Sequence, residues 1–426
     1  MAAPNVAFPG RTTQDGNASK ARNWLLKQVF RAIGPAPIRL AIETGGEYAL
    51  PGSVPVATVR IPNLRTLAQM AVDPEIAFSE AFADGSVRVE GDLVRALEVV
   101  YDSLRSRGGY GWYGAWSNAL LELFESNSLD GSRENIHRHY DLGNDFYRLW
   151  LDPQMVYTCA YFETPDATLE EAQRAKLDYV CRKLQLQPGE SVVEAGCGWG
   201  AMALHMARHY GVRVQAFNIS REQIEFARQR AKQEGLDGRV EYIEDDYRNI
   251  RGKHDVFVSI GMLEHVGRSQ YARLGETVHR VLGDTGRGLI HSIGRSYRAP
   301  VSRWIRKRIF PGAYVPTLGE AMRILEPHGY AVWDVENLRP HYARTIEHWL
   351  ARFDGARGVV SQMYDEQFER TWRLYLAGSI AGFRTGSLEL FQILFAGPGC
   401  RHPFRETRAS LYAPQAEDAS SAGGRA

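Results

Sequence analysis

Residues 191–218 read SVVEAGCGWGAMALHMARHYGVRVQAFN. A short apolar run from Ser191 to Ala195 is followed by glycines at every second position, Gly196, Gly198 and Gly200. Ten residues with helical apolar spacing come next, and a second apolar run closes the unit. A strand, a tight turn, a helix and another strand make one repeat of an alternating pattern. The pattern continues: SREQIEFARQRAKQEG is helical, VEYIED and HDVFVSIG are strands, a helix runs through roughly 269–282, and GRGLIHSIG is a strand. YAVWDVENL and SLELFQILFAG supply two later strands, separated by helical stretches. Such alternation predicts an α/β domain with a mostly parallel, doubly wound, Rossmann-like sheet, whose ligands bind at the carboxyl ends of the strands.

The glycine turn suits a ligand that approaches the backbone closely, because side chains there would push it away and the following helix offers free N–H groups. A dinucleotide fingerprint would prefer G-x-G-x-x-G and an acid at the end of the second strand. Here that strand ends in Phe217 and Asn218. Ser220 opens the next helix and Gln223 follows. They suit hydrogen bonds to a ribose, or an N-cap with Gln223 completing a capping box. The run from Glu194 through Gly200 resembles the E/D-x-G-x-G-x-G turn of S-adenosylmethionine-dependent methyltransferases, which favours S-adenosylmethionine over NAD. Asp245, Asp246 and Tyr247 close the third strand, where such enzymes hold the adenine; a solvated loop is the alternative.

The chain has 426 residues, enough for two domains. Its formal net charge is +1, so nothing global points to nucleic acid. Four cysteines without C-x-x-C pairing suggest free thiols in a reducing cytosol, with neither a disulfide framework nor a metal site. The N-terminus lacks the pattern of a signal peptide, and no apolar window approaches about 18 residues. Small polar tails are expected over 1–20 and 414–426, both disordered. A smaller α+β domain is expected over 21–125, in which WLLKQVFRAI is helical and VATVRI is a strand. IAFSEAFADGSVRVEGDLVRALEVVYDSL reads there as helix, turn, strand and helix. The polar run 126–137 is the expected linker, and 138–413 the catalytic domain.

HYDLGNDFYRLWLDPQMVYTCAYF, EAGCGWG, NISREQ, SIGMLEHVG, HSIG, WIRKRIFPGAYVP and ENLRPHYARTIEHW occur in this order over 137–396. Together they resemble the cyclopropane-fatty-acyl-phospholipid synthases and the related mycolic acid cyclopropane synthases. FSEAFADGSVRVEGDL also resembles the smaller N-terminal domain of the bacterial phospholipid-acting members. Three departures are mild: Glu194 stands for an aspartate, Asn218 for a threonine, and MLEH for MFEH.

The resemblance implies a bacterial enzyme that transfers a methylene group from S-adenosylmethionine to the cis double bond of an unsaturated phospholipid acyl chain. The alkene attacks the sulfonium methyl, a carbocation forms, and loss of a proton from the new methyl closes the ring. The same site ending in a methyl-branched or methylene chain is the nearest alternative; a small-molecule methyltransferase is more distant. The resemblance makes bound bicarbonate the base, held by residues matching Cys159, Glu264, His291, Ile293 through its backbone, and Tyr342. Glu264 would orient His291 or accept the bicarbonate O–H, and His265 would be structural. Cofactor binding would fall to Tyr157, Thr158, Glu194, Gly196, Gly198, Gly200, Asn218, Ser220, Gln223, Asp246 and Tyr247.

A cation shielded from water calls for an apolar, aromatic-lined tunnel. Tyr140, Phe146, Tyr147, Trp150, Tyr157, Tyr161 and Phe162 supply rings for it, or for a packed core. In 295–312, Arg295, Arg298, Arg303, Arg306, Lys307 and Arg308 interleave with Trp304, Ile305, Ile309 and Phe310, with no acid. That pattern suits either an anionic bilayer or a helix packed by its apolar face. The expected setting is cytoplasmic, peripheral to the inner face of the membrane, as a homodimer whose N-terminal domain aids docking or dimerisation.

Overall fold

The structure, a computed structural model, describes residues 16–106, 142–400 and 407–412. The expected linker, Tyr140 and the tails, apart from residues 16–20, lie outside the described residues. Residues 16–20 are helical, a departure from the expected disordered tail.

The N-terminal unit comprises α1 (Gly16–Ile33), β1 (Arg39–Ile42), β2 (Glu47–Ala49), β3 (Ala57–Ile61), α2 (Leu64–Val72), α3 (Pro74–Ala83), β4 (Arg88–Gly91) and α4 (Leu93–Arg105). Its sheet runs β2-β1-β3-β4, with only the β1–β3 pair parallel. The α+β character expected from sequence holds. Side chains cap the helices locally: Asp73 accepts from the Ile76 N–H that opens α3, and Asp92 from the Arg95 N–H that opens α4.

The larger unit contains α5 (Asn144–Arg148), α6 (Leu169–Leu184), β5 (Ser191–Ala195), α7 (Ala201–Tyr210), β6 (Arg213–Asn218), α8 (Arg221–Gln233), β7 (Val240–Glu244), β8 (Val256–Ile260) and α9 (Leu263–Val266). It continues through α10 (Tyr271–Leu282), β9 (Arg287–Gly294), α11 (Arg303–Arg308), α12 (Leu318–Met322), β10 (Ala331–Asn337), α13 (Arg339–Met363), α14 (Glu366–Thr385), β11 (Glu389–Ala396) and α15 (Ala409–Tyr412). The seven strands are ordered β10-β11-β9-β8-β5-β6-β7. β5 to β9 are mutually parallel, as the alternation predicts, and β11 runs antiparallel to both of its neighbours. The reversal has a simple cause. One helix returns the chain for a parallel strand, whereas the two helices α13 and α14 leave it at the opposite end, so β11 enters reversed.

The two units share a core. Phe82 and Leu93 from the N-terminal unit join a buried cluster with Trp150, Trp349, Trp372 and Phe383. Arg384 on α14 pairs with the buried Glu98 on α4 at 2.8 Å.

The basic segment packs its apolar side into this junction. Trp304 and Ile309 are buried. Arg303 pairs with Asp73, Lys307 with Glu80 at 3.2 Å, and Arg308 bonds the same Glu80 through Nε at 3.0 Å. Glu75 accepts from Ser302 Oγ at 2.7 Å. The helix is packed by its apolar face, and acids of α3 and its cap meet three of its charges.

Candidate active site

The carboxyl ends of β5, β6, β7 and β8 open onto one cavity. At its turn, the Gly196 and Cys197 N–H groups both donate to the Phe217 carbonyl, at 2.9 and 3.0 Å. Gly196 has φ +84°, and a Cβ there would stand 2.9 Å from Met262 Cβ. At Gly198, φ +52°, a Cβ would meet nothing within 4 Å, so it would project into open space. Both glycines line the cavity.

Gly200 corrects the expectation of a ligand contact. A Cβ there would fall 2.4 Å from Tyr242 Oη, and that hydroxyl donates to the Gly200 carbonyl at 2.7 Å. Gly200 does not line the cavity; packing against Tyr242 explains it. Ser220 is a second correction. It is buried, caps α8 by accepting from the Gln223 N–H, and is not on the cavity wall. The Gln223 side chain does not complete a capping box. Its Oε1 accepts from Asn218 Nδ2 at 2.7 Å, and its Nε2 is buried without a partner. Asn218 and Gln223 both line the cavity.

Asp246 pairs with Arg248 at 2.7 Å and also accepts from the Arg248 backbone N–H, which fixes the turn after β7. Tyr247 presents a buried hydroxyl with no partner. Glu194 is buried at the end of β5 with Oε2 unpaired, and burial pushes its carboxyl up to about 7. Tyr157 shares a 2.8 Å hydrogen bond with Tyr375, and Thr158 accepts one from Lys176 at 3.0 Å. Unpaired buried polar atoms on Glu194, Gln223 and Tyr247, set among apolar walls such as Phe217 and Met202, fit an adenosyl amino acid.

Beyond β8 and β9 lies a second polar group. Glu264, the second residue of α9, is buried; its Oε1 accepts from the Ile293 N–H at 2.6 Å and its Oε2 has no partner. Burial raises its carboxyl to about 7. His291 sits inside β9 with Nδ1 3.0 Å from Gln392 Nε2 and Nε2 unpaired. Burial holds it neutral by lowering its pKa. Two expectations change here. Gln392, not Glu264, orients His291. The Ile293 N–H is already engaged by Glu264, so that backbone group acts through the carboxylate. Gln392 was missed because it stands in the apolar run LFQILFA; a lone amide in such a run was the available signal.

Cys159 is fully buried, its Sγ 3.1 Å from the Ala160 carbonyl and 4.0 Å from that of Leu338. Burial pushes the thiol well above its ordinary range, the opposite of an activated nucleophile. Cys159→Ser should therefore retain at least about a tenth of wild-type turnover. Total loss, with circular dichroism and cofactor affinity intact, would require a thiolate role. Tyr342 lies in the first turn of α13, its ring 4.6 Å from that of Phe383 and 6.0 Å from Trp349. His265 is half-buried with its ring edge-on to Phe310, 5.6 Å away, and desolvation lowers it to about 4. It also lines the cofactor cavity.

The expected aromatic cluster divides. Phe146, Tyr147, Trp150 and Tyr157 pack with Trp199, Trp349 and Trp372. Tyr161 instead stacks on Tyr179 and His341, and Phe162 on His348. Phe146, Tyr147 and Trp150 are fully buried core; of the described members, Tyr157 lines the cavity.

The family model for mycolic acid cyclopropane synthetase matches residues 127–393. The chain is 34% identical over 388 residues to a probable fatty acid methyltransferase of Pseudomonas putida, across 88% of this chain and 96% of that one. It is also 34% identical over 349 residues to the cyclopropane-fatty-acyl-phospholipid synthase of Escherichia coli strain K12, covering 82% and 90% respectively. Among solved structures, mycolic acid cyclopropane synthase CmaA1 complexed with SAH and CTAB superposes with a TM-score of 0.59 at 32% identity. That match covers 62% of this chain and 97% of that one.

Proposed function

Because the chain belongs to the mycolic acid cyclopropane synthetase family, and is by that membership an S-adenosylmethionine-dependent transferase, we propose that it converts cis-unsaturated phospholipid acyl chains to cyclopropane acyl chains. The carrying observation is that two buried side chains near the carboxyl ends of β8 and β9, Glu264 and His291, each keep one polar atom, Oε2 and Nε2, without a hydrogen-bond partner among the described residues. Two unpaired atoms of this kind at the sheet's carboxyl edge are costly unless a small polar species takes them up.

The donor set suits bicarbonate. The Glu264 carboxylate accepts an O–H, and His291, if its Nε2 carries the proton, donates to an oxygen. When bound, bicarbonate supplies the base that takes a proton from the newly attached methyl group. The protein's work is placement and exclusion. The cofactor cavity fixes the sulfonium methyl, so that the weakly nucleophilic alkene meets it in line. Tyr157 presents a ring to the developing cation. The packed shell of Trp150, Trp349 and Trp372 behind it keeps water from trapping that cation as an alcohol. No helix among the described residues is long and apolar enough to cross a membrane, so the proposed lipid would be met from the water side.

The test is mass spectrometry of vesicles holding a cis-monounsaturated phospholipid, after incubation with protein and S-adenosylmethionine. The acyl chain should gain one CH2, and gas chromatography should identify a ring. A methyl-branched or methylene product would keep the site and change the ending of the reaction. No gain in mass, with S-adenosylmethionine bound tightly, would remove the phospholipid assignment.

A further inference from the structure

Lys176 stands in the middle of α6 and is only 1% exposed. Its ammonium donates to Thr158 Oγ1 at 3.0 Å, and among the described residues no carboxylate lies within ion-pairing distance of it. A buried ammonium with a single hydroxyl for company retains two unused protons and an unbalanced charge, a costly arrangement that calls for an anion. Desolvation lowers Lys176 to about 8, so it remains mainly charged at neutral pH; Cys159, then Asp152, Glu194 and Cys181 around it act in the opposite direction.

Which anion it serves is decided by the cavity it faces. Lys176, Thr158 and Glu194 all line the cofactor cavity, while Cys159 and His291, which also feel the Lys176 charge, lie behind that wall. The Glu194 Oε2 is buried and unpaired on the same wall. Glu194 and Lys176 influence each other electrostatically but form no ion pair, so neither side chain is taken up by the other. A cationic and an anionic group held apart in one cavity match an α-amino acid, which carries one charge of each sign a few bonds apart.

We propose that Lys176, working with the Thr158 hydroxyl, holds the carboxylate of the co-substrate's amino-acid end while Glu194 receives its ammonium. The proposal rests on the reading of S-adenosylmethionine as co-substrate. It makes Lys176 a binding residue that rejects adenosyl ligands lacking a carboxylate.

The experiment is a two-by-two cycle read by calorimetric Kd, on the full chain. The ligands are S-adenosylhomocysteine and its carboxamide, in which the carboxylate is a neutral amide; the proteins are wild type and Lys176→Met. Replacing the carboxylate on wild type should weaken binding about 10- to 100-fold, the span of a charge-assisted hydrogen bond. Lys176→Met should weaken S-adenosylhomocysteine by a similar factor, and the two changes together should cost no more than either alone. 5′-Methylthioadenosine should bind both proteins equally, within about twofold, because it never reaches Lys176.

Losses that add, or an equal loss for 5′-methylthioadenosine, would assign Lys176 a merely structural role. Should Lys176→Met fail to fold by circular dichroism, Lys176→Arg and the wild-type arm decide. Arg should keep the preference for the acid over the amide, and a wild type with no such preference overturns the proposal. A wild type that binds no S-adenosylhomocysteine at all refutes the co-substrate reading itself, a failure distinct from that of Lys176.

Discussion

Glu264→Gln should lower turnover on vesicles of unsaturated phospholipid by about 10³-fold, within the usual span for a lost acid–base partner, and leave S-adenosylmethionine affinity within about threefold of wild type. Glutamine can still accept from the Ile293 N–H through its carbonyl oxygen. It places an NH2 donor where the unpaired Oε2 now offers lone pairs, so an incoming O–H finds no acceptor. Glu264 does not line the cofactor cavity, which is why binding should survive. The two readouts together are diagnostic: wild-type turnover would remove Glu264 from the chemistry, and lost cofactor affinity would mean the α9 turn had collapsed.

The same variant carries a second signature. Burial raises this carboxyl from 4.5 to about 7. Between those values the unfolded chain gives up a proton that the folded protein keeps. Wild type therefore loses stability as pH rises through that window, on the order of 3 kcal/mol, and is fully penalised above it. Glutamine has no proton to lose. Thermal unfolding of the two proteins should match most closely near pH 4.5 and diverge by pH 8, with the inactive variant the more stable. An unchanging gap across that range would contradict a desolvated acid. Wild-type turnover that needs the ionised form should climb through about pH 7 on the same titration.

Local periodicity made the parallel half of the sheet readable, because the strands from β5 to β9 are short apolar runs, or in β7 an alternating one, with turn chemistry at their ends. Two features of the N-terminal sheet were not readable. β1 and β2 flank the polar turn ETGG, are four and three residues long, and carry too few alternations to register. The reversal of β11 was equally hidden, since strand direction depends on how the intervening helices pack and leaves no trace in the strand's own residues. The basic segment shows the same limit from another side. Its amphipathic pattern was correctly seen, but Asp73, Glu75 and Glu80, which receive its charges, lie more than 200 residues earlier.

The site divides along the same line. The glycine turn and the place of Glu264 just past the end of a strand are encoded locally. Lys176 is not, because EEAQRAKLDYVCRKL reads as a helix with a solvated charged face. α6 is in fact covered so thoroughly that Gln173, Lys176 and Lys183 are all buried. Burial of a charged residue in a helix is a property of what surrounds the helix, and the residue's own neighbours do not announce it.

His291→Leu and Gln392→Leu should each cut turnover by about 10²-fold, and the double variant should lose no more than the worse of the two. The two residues are direct cross-strand partners in the antiparallel β9–β11 pair, and their side chains meet at 3.0 Å. If Gln392 donates to His291 Nδ1, the ring proton is confined to Nε2, the unpaired nitrogen that must face the anion. Removing the amide frees the ring to turn or change tautomer; removing the ring deletes the donor outright. A function shared in series is lost once, so the second change finds nothing left to remove. Stability should behave in the opposite way. Each single leucine strands a buried polar partner and should cost about 1–3 kcal/mol, whereas the double variant replaces both by apolar groups and should recover most of that loss. A double variant that is stable yet inactive separates the chemical role of the pair from its packing. If instead the double is the least stable of the three, the contact serves β9–β11 pairing, and losses of turnover that multiply would mean that the two side chains act on the reaction independently.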